Sequence, residues 1–228
     1  MEITNSFKRP RCQSFDIKWG NASDSDNESY EPPSKKRKVE NKTVLMDEKF
    51  VYTIGNEIHF TAGINKVSIQ EIIKQMTTLI HDHKKKSDEP EKLNIVYIVD
   101  SPGGSVTSIL KFVDFINVAK KKYPFVEFTS IVTGLTASAG TIMAIVADKR
   151  FMTKNAHAMV HELSSGNSGK YTEFRSYVKF LDQLHDKLVT IYCDKTKKPR
   201  EEIESIMKNE TWFSADEYLK YGFIDEIK

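Results

Sequence analysis

From Phe50 onward the apolar positions recur with definite periods. Val51 to Phe60 alternates around Gly55-Asn56, which predicts strand, turn and strand. Val67, Ile69, Ile72, Ile73, Met76 and Ile80 fall on one face of a helix over 67–80. The run Asn94-Ile95-Val96-Tyr97-Ile98-Val99 is short, continuous and rich in β-branched residues, the pattern of a buried parallel strand. Val106, Ile109, Leu110, Val113, Ile116 and Val118 mark a helix over 106–119. Val126 to Val132 reads as a strand, and the small, apolar stretch Thr136 to Ala147 as a helix. Strands and helices alternating at these lengths imply right-handed crossovers and a layered α/β fold.

Two further helices are predicted toward the C-terminus. Phe174, Tyr177, Val178, Leu181, Leu184, Leu188, Ile191 and Tyr192 form one apolar stripe along a long helix over 171–192. Pro199 suits the first turn of the next helix. Ser214 and Glu217 have the spacing of a capping box, and Gly222 marks a helix stop.

Residues 1–44 differ in kind. Gly20 to Ser29 is polar and Pro32-Pro33 follows it, so this segment buries too little apolar surface to offset its ordering entropy and is expected to be disordered. A single domain is expected over 45–228. The segment 1–44 holds nine Lys/Arg and seven Asp/Glu, which leaves 25 of each for the rest. The whole net charge of +2 therefore belongs to the tail. The domain lacks the basic bias that nucleic-acid binding leaves, so no nucleic-acid partner is expected for it. Within the tail, Lys35-Lys36-Arg37-Lys38 is flanked by Pro33 and Val39. This extended basic cluster resembles a nuclear import signal that an importin would bind, which applies if the host cell has a nucleus. A solvated charge run is the plainer alternative.

Composition removes several classes of function. The central apolar run Ile142 to Ala147 is too short to cross a bilayer, and no secretory leader is apparent at Met1. A soluble, intracellular protein without a membrane partner is expected. Cys12 and Cys193 read as free thiols in a reducing compartment. His81 and His83 stand two apart and do not share a helical face, so they are expected at a solvated helix end rather than on a metal.

Chemistry concentrates at two strand-to-helix junctions. Asp100-Ser101-Pro102-Gly103-Gly104-Ser105 follows a predicted buried strand. Adjacent glycines permit a sharp turn and close approach, and amides at a helix start carry partial positive charge. Such a turn serves as a phosphate cradle, as an oxyanion hole or simply as a turn; no Lys-Ser/Thr follows it, as a phosphate-binding loop would need. The second junction, Gly134-Leu135-Thr136-Ala137-Ser138-Ala139-Gly140, places small residues around one hydroxyl. Ser138 is either a helix cap or a nucleophile, and a nucleophile needs a base. His161 ends the strand-like run 156–160 and precedes the polar loop Ser164 to Gly169. His157 shares its face but lies further from that loop.

Taken together these segments resemble the ClpP peptidase family. The similarity runs from about Phe50 to Ile227. It is carried by Ser101-Pro102-Gly103-Gly104-Ser105-Val106, Gly134 to Gly140, Met159-Val160-His161-Glu162, Trp212-Phe213-Ser214-Ala215 and Tyr221-Gly222-Phe223-Ile224-Asp225. The resemblance implies a ClpP/crotonase-like fold of repeated β-β-α units with a protruding long helix. It implies a serine endopeptidase with Ser138 as nucleophile, His161 as base, the amides of Gly103 and Ala139 as oxyanion donors, and no metal or organic cofactor. The family's third catalytic residue is an aspartate shortly before the aromatic-hydrophobic-Ser-Ala stretch; that place holds Glu210 here, beside the uncharged Asn209.

The resemblance further implies a peptide or unfolded-protein substrate, a homo-oligomeric ring (heptameric and stacked in the family) and an ATPase unfoldase as partner. Glu162-Leu163 replaces the family's Gln-Pro, and the tail does not resemble the family's pore-gating N-terminal segment. Two alternatives stand beside the peptidase. One is a catalytically impaired scaffold or assembly subunit, for which Glu210 argues. The other is a crotonase-type acyl-CoA enzyme, against which the presence of both Ser138 and His161 argues.

Overall fold

The computed structural model describes residues 50–87 and 89–228. The expected tail disorder, Cys12 and the basic cluster Lys35, Lys36, Arg37 and Lys38 lie outside the described residues.

The described residues open with a hairpin, β1 (Val51–Ile54) and β2 (Glu57–Phe60), turned at Gly55 with φ +62°. Helix α1 (Lys66–Lys84) follows, capped by Asn65, whose Oδ1 accepts the amides of Val67 and Ser68 at 2.8 and 3.0 Å. Such a cap contributes about 1 kcal/mol. Strand β3 (Leu93–Ser101) leads to α2 (Val106–Lys122), and β4 (Val126–Ala137) to α3 (Ala139–Ile145). Then come β5 (Lys149–Met152), β6 (His157–Val160), α4 (Tyr171–Thr196) and α5 (Arg200–Lys208). Strand β7 (Thr211–Ser214), α6 (Ala215–Lys220) and β8 (Glu226–Ile227) close the fold. The result is a mixed α/β protein with a sheet of eight strands and six helices among the described residues.

The sheet runs β1-β2-β3-β4-β5-β8, parallel from β2 onward, with β6 beside β4 and β7 antiparallel to β6. Its core is made by Ile58, Phe60, Tyr97, Val99, Phe128 and Val132 from the strands, packed against Ile69, Ile72, Met76, Ile109, Phe112 and Ile116 of α1 and α2. Parallel strands buried on both faces explain why the run 94–99 lacks alternation. The Tyr97 hydroxyl, fully buried, donates to the Met143 carbonyl at 3.0 Å; burial pushes this phenol far up, so it stays a neutral donor.

Strand β4 departs from expectation. The predicted strand stops at Val132 and the predicted helix starts at Thr136, whereas β4 continues to Ala137. Its middle pairs with β5 and its end changes partner, with Leu135, Thr136 and Ala137 opposite His157, Ala158 and Met159 of β6. A register shift between Val99 and Ser101 accommodates the change, and Thr136 Oγ1 donates to the Val99 carbonyl at 3.0 Å. Small residues that suit a helix are held in a strand by these tertiary partners.

Helix α4 divides into two halves. Leu184, Leu188, Val189 and Tyr192 are buried, whereas Tyr171, Phe174, Val178 and Phe180 on its first half are exposed. No helix among the described residues is long and apolar enough to cross a membrane.

Candidate active site

Ser138 sits between β4 and α3 with φ +54° and ψ −126°. A side chain in that region is strained by about 1–3 kcal/mol, and only a well-determined surround holds it there. The surround is visible. The Ser138 amide donates to the Met159 carbonyl at 2.8 Å, its carbonyl accepts the Thr141 amide at 3.0 Å and the Thr141 hydroxyl at 2.6 Å. At this elbow Ser138 Oγ meets the His161 ring rather than an amide of α3. Ser138 indeed makes no side-chain cap to α3.

His161 follows β6 by one residue, on the same side as Met159. Its Nε2 lies 2.8 Å from Ser138 Oγ. When the hydroxyl donates, a neutral imidazole carries its proton on Nδ1. His157, the alternative base, is exposed and stands opposite Leu135, away from the serine. Its strand position removes it from the site.

Gly103 packs directly on the elbow. A Cβ there would stand 2.6 Å from the Ala137 carbonyl oxygen and 2.7 Å from Ser138 Cβ, and its φ is +90°. Only glycine fits. The turn is fixed from below: Ile64 N donates to Gly103 O at 2.7 Å, Ser105 N donates to Ile64 O at 2.8 Å, and Ser101 Oγ donates to Ala62 O at 2.7 Å. The Gly103 amide itself donates to Ser101 Oγ at 3.2 Å. The Ala139 amide belongs to the first turn of α3, where helical amides have no intrahelical acceptor.

Glu210 follows the end of α5 in a left-handed conformation, φ +49°, and is exposed. Its amide donates to the Met207 carbonyl at 3.3 Å, the same carbonyl that accepts the Glu162 amide at 3.0 Å. Val160 pairs with Thr211, so Glu210 and His161 flank the last pair of the β6–β7 ladder. Among the described residues no hydrogen bond joins the Glu210 carboxylate to His161; the only side-chain hydrogen bond of the imidazole is to Ser138.

Sequence reasoning missed the second layer. Thr141 Oγ1 lies 2.6 Å from the Tyr192 hydroxyl, which links α4 to the carbonyl of Ser138. Burial pushes the Tyr192 phenol up, so it is a neutral donor toward Thr141. The stripe on α4 includes Tyr192 but carries no sign of its polar end. The segment Ala62 to Ile64, which holds the glycine turn, gives no sequence signal at all.

A serine bonded to an imidazole at a strained strand-to-helix elbow, beside a glycine turn, defines a serine hydrolase on a layered α/β sheet. A family model for Clp protease matches residues 46–228, and the chain belongs to that family, whose members are serine endopeptidases. Similar proteins include the ATP-dependent Clp protease proteolytic subunit of Streptococcus thermophilus, 35% identical over 145 residues that cover 61% of this chain and 71% of the relative. The subunit of the same name from Leuconostoc citreum is 38% identical over 146 residues, covering 62% and 70%. ATP-dependent Clp protease proteolytic subunit 1 of Chlamydia caviae is 28% identical over 177 residues, covering 76% and 86%.

Proposed function

We propose that this chain hydrolyses peptide bonds with Ser138 as nucleophile and His161 as general base. The observation that carries this reading is the 2.8 Å contact between His161 Nε2 and Ser138 Oγ at a backbone conformation that costs energy to hold. Oγ attacks the substrate carbonyl while Nε2 takes its proton. The oxyanion forms beside the Ala139 amide and that of Gly103, which exchanges its long bond to Ser101 Oγ for the charged oxygen. A charge-assisted bond is roughly twice as strong as a neutral one, which favours the exchange. Each such donor contributes about 3 kcal/mol in comparable hydrolases. His161 then protonates the departing amine, and water repeats the sequence on the acyl-enzyme.

Glu210 is proposed to orient His161 through Nδ1. Its support is position: it borders the last β6–β7 pair at a conformation uncommon for a glutamate. Closing that contact requires the 209–210 turn to carry the carboxylate inward. The substrate strand is proposed to lie along the exposed loop 164–170, pairing through its backbone.

Family membership further supports a ring-shaped homo-oligomer that receives unfolded protein from an ATPase. The exposed apolar half of α4 is suited to the contact between stacked rings. The basic cluster Lys35 to Lys38 is proposed as an importin ligand; a fluorescent fusion of residues 1–44 that stays cytoplasmic would refute it.

The direct test is a fluorophosphonate probe applied to the purified chain beside Ser138→Ala. Labelling of the wild type that is lost in the variant supports the peptidase; no labelling, or equal labelling of both, sinks it. A second reading, a catalytically impaired assembly subunit, is favoured by the missing Glu210–His161 bond. It predicts a ring that takes the probe slowly and turns over no peptide.

A further inference from the structure

A cavity lies beside Ser138, where, on the proposed mechanism, the side chain of the residue on the acyl side of the cut bond would go. Ser138, Ala139 and His161 are part of its lining. Its walls are apolar: Val106, Ile109, Ile142, Leu163, Leu188 and the ring of Tyr192. Its free volume is about 20 Å³. A single water needs roughly 10–15 Å³ on that measure, so the cavity holds about one water. An isobutyl or benzyl group does not fit.

Tyr192 is the largest side chain of the lining, and it is fixed at both ends. Its hydroxyl is bonded to Thr141 Oγ1 at 2.6 Å, and Thr141 Oγ1 lies 2.6 Å from the Ser138 carbonyl. Its ring stands edge-on to Phe223, centroids 5.7 Å apart at 73°. It is 2% exposed. Swinging the ring aside would break the bond that ties α4 to the nucleophile's own backbone. Among the apolar walls, Leu163 alone stands on no helix or strand.

We propose that Tyr192 acts as a fixed stopper that makes this enzyme cut after residues with small side chains: glycine, alanine and serine. The inference rests on the serine-peptidase reading and names its substrate class. A pocket of fixed size discriminates by roughly 10- to 200-fold per methylene gained or lost.

The test uses three peptidyl diphenyl phosphonates that differ only in alanine, leucine or phenylalanine at the acyl-side position. Ser138 Oγ bonds to phosphorus and phenol leaves with the serine proton, so intact mass reports the labelling rate. The full chain is expected to react with the alanine probe at least ~10-fold faster than with the other two. In Tyr192→Leu and Tyr192→Ala that ratio should collapse or invert, whereas Tyr192→Phe, which keeps the ring, should preserve it. Faster reaction with leucine or phenylalanine in the wild type overturns the proposal, as does a ratio that neither smaller variant moves. A small fluorophosphonate with no side chain to place is run in parallel. If it labels Ser138 while the phosphonate ratio is flat, the stopper falls and the peptidase stands. If it fails to label Ser138, both fall.

Discussion

The amide of Ser138 donates to the carbonyl of Met159 at 2.8 Å, one residue beyond the Ala137–Met159 pair of the β4–β6 ladder. His161 lies two residues past Met159. The proposed nucleophile and base are thus positioned from one strand pairing, and their separation is set by backbone rather than by loops. Groups placed this way act as a unit. Ser138→Ala and His161→Ala should each lower kcat by about 10⁶, as loss of either partner does in comparable enzymes, and the double variant should be no worse than either single one. Hydrolysis of a fluorogenic peptide by all three, with folding checked by circular dichroism, measures this. Losses that add in the double variant would show that the two residues do not work together.

Gly103→Ala brings a methyl to 2.6 Å from the Ala137 oxygen and 2.7 Å from Ser138 Cβ, at a φ of +90° that side chains avoid. The elbow must shift, and with it the amides expected to meet the oxyanion. The variant should lose stability by about 1–3 kcal/mol and activity by at least ~10²-fold, the effect of losing one oxyanion donor. Thermal melting and kcat/KM, measured together, separate the two effects. Wild-type activity in a folded variant would remove Gly103 from the site.

Much of this was legible in the sequence because periodicity and turn chemistry are local. Most of the α1 and α2 faces, the buried run 94–99, the capping box at Ser214 and the glycine stop at 222 appear where the pattern puts them, whereas Val67 and Val118, counted on those faces, are exposed. Ser138 and His161 were legible as residue types at junctions, and the structure brings them within hydrogen-bond distance. The extension of β4 through Thr136 and Ala137 was not legible, because its cause is a change of partner strand far along the chain. The short strands β5, β7 and β8, of four, four and two residues, were not anticipated; each is held by a partner strand elsewhere in the chain. Tyr192 was legible only as apolar; its hydroxyl acquires meaning from Thr141, 51 residues away in sequence.

Glu210 offers a graded series. Its proposed partner is Nδ1 of His161, and a carboxylate there fixes the tautomer that accepts the serine proton. Glu210→Gln keeps the length and removes the charge; it should lower kcat by at least ~10²-fold with KM little changed. Glu210→Asp restores the residue the family carries at this place and should match or exceed the wild type. A kcat/KM series across the wild type, Glu210→Gln, Glu210→Asp and Glu210→Ala decides the matter. If Glu210→Gln and Glu210→Ala both retain full activity, the imidazole is oriented by some other group.

The C-terminal segment is anchored by one ion pair with a predictable pH signature. Arg150, on β5, donates from its amide to Asp225 Oδ2 at 2.9 Å and from Nε to the same oxygen at 3.2 Å, and its Nη2 pairs with Oδ1. Asp225 N returns a bond to the Arg150 carbonyl at 2.8 Å. Burial pushes the Asp225 carboxyl up, but the guanidinium and amide bonds outweigh it and hold the group below the usual carboxylate range. A carboxylate whose folded pKa lies below its unfolded value contributes stability above the unfolded pKa, near 3.9, and loses it as pH falls through the folded one. Asp225→Asn should therefore melt lower than the wild type at pH 7, and the gap should close as pH drops below about 4. The side chain of Asp225 is 43% exposed, which screens the pair, so the loss at neutral pH should be about 1–2 kcal/mol rather than the 3–5 of a fully buried pair. Asp225 touches neither Ser138 nor His161, so the labelling rate of the folded variant should match the wild type. A melting gap that is independent of pH between 3 and 7, measured by calorimetry in steps of about half a unit, would mean that the carboxylate's charge contributes nothing and that only its packing does.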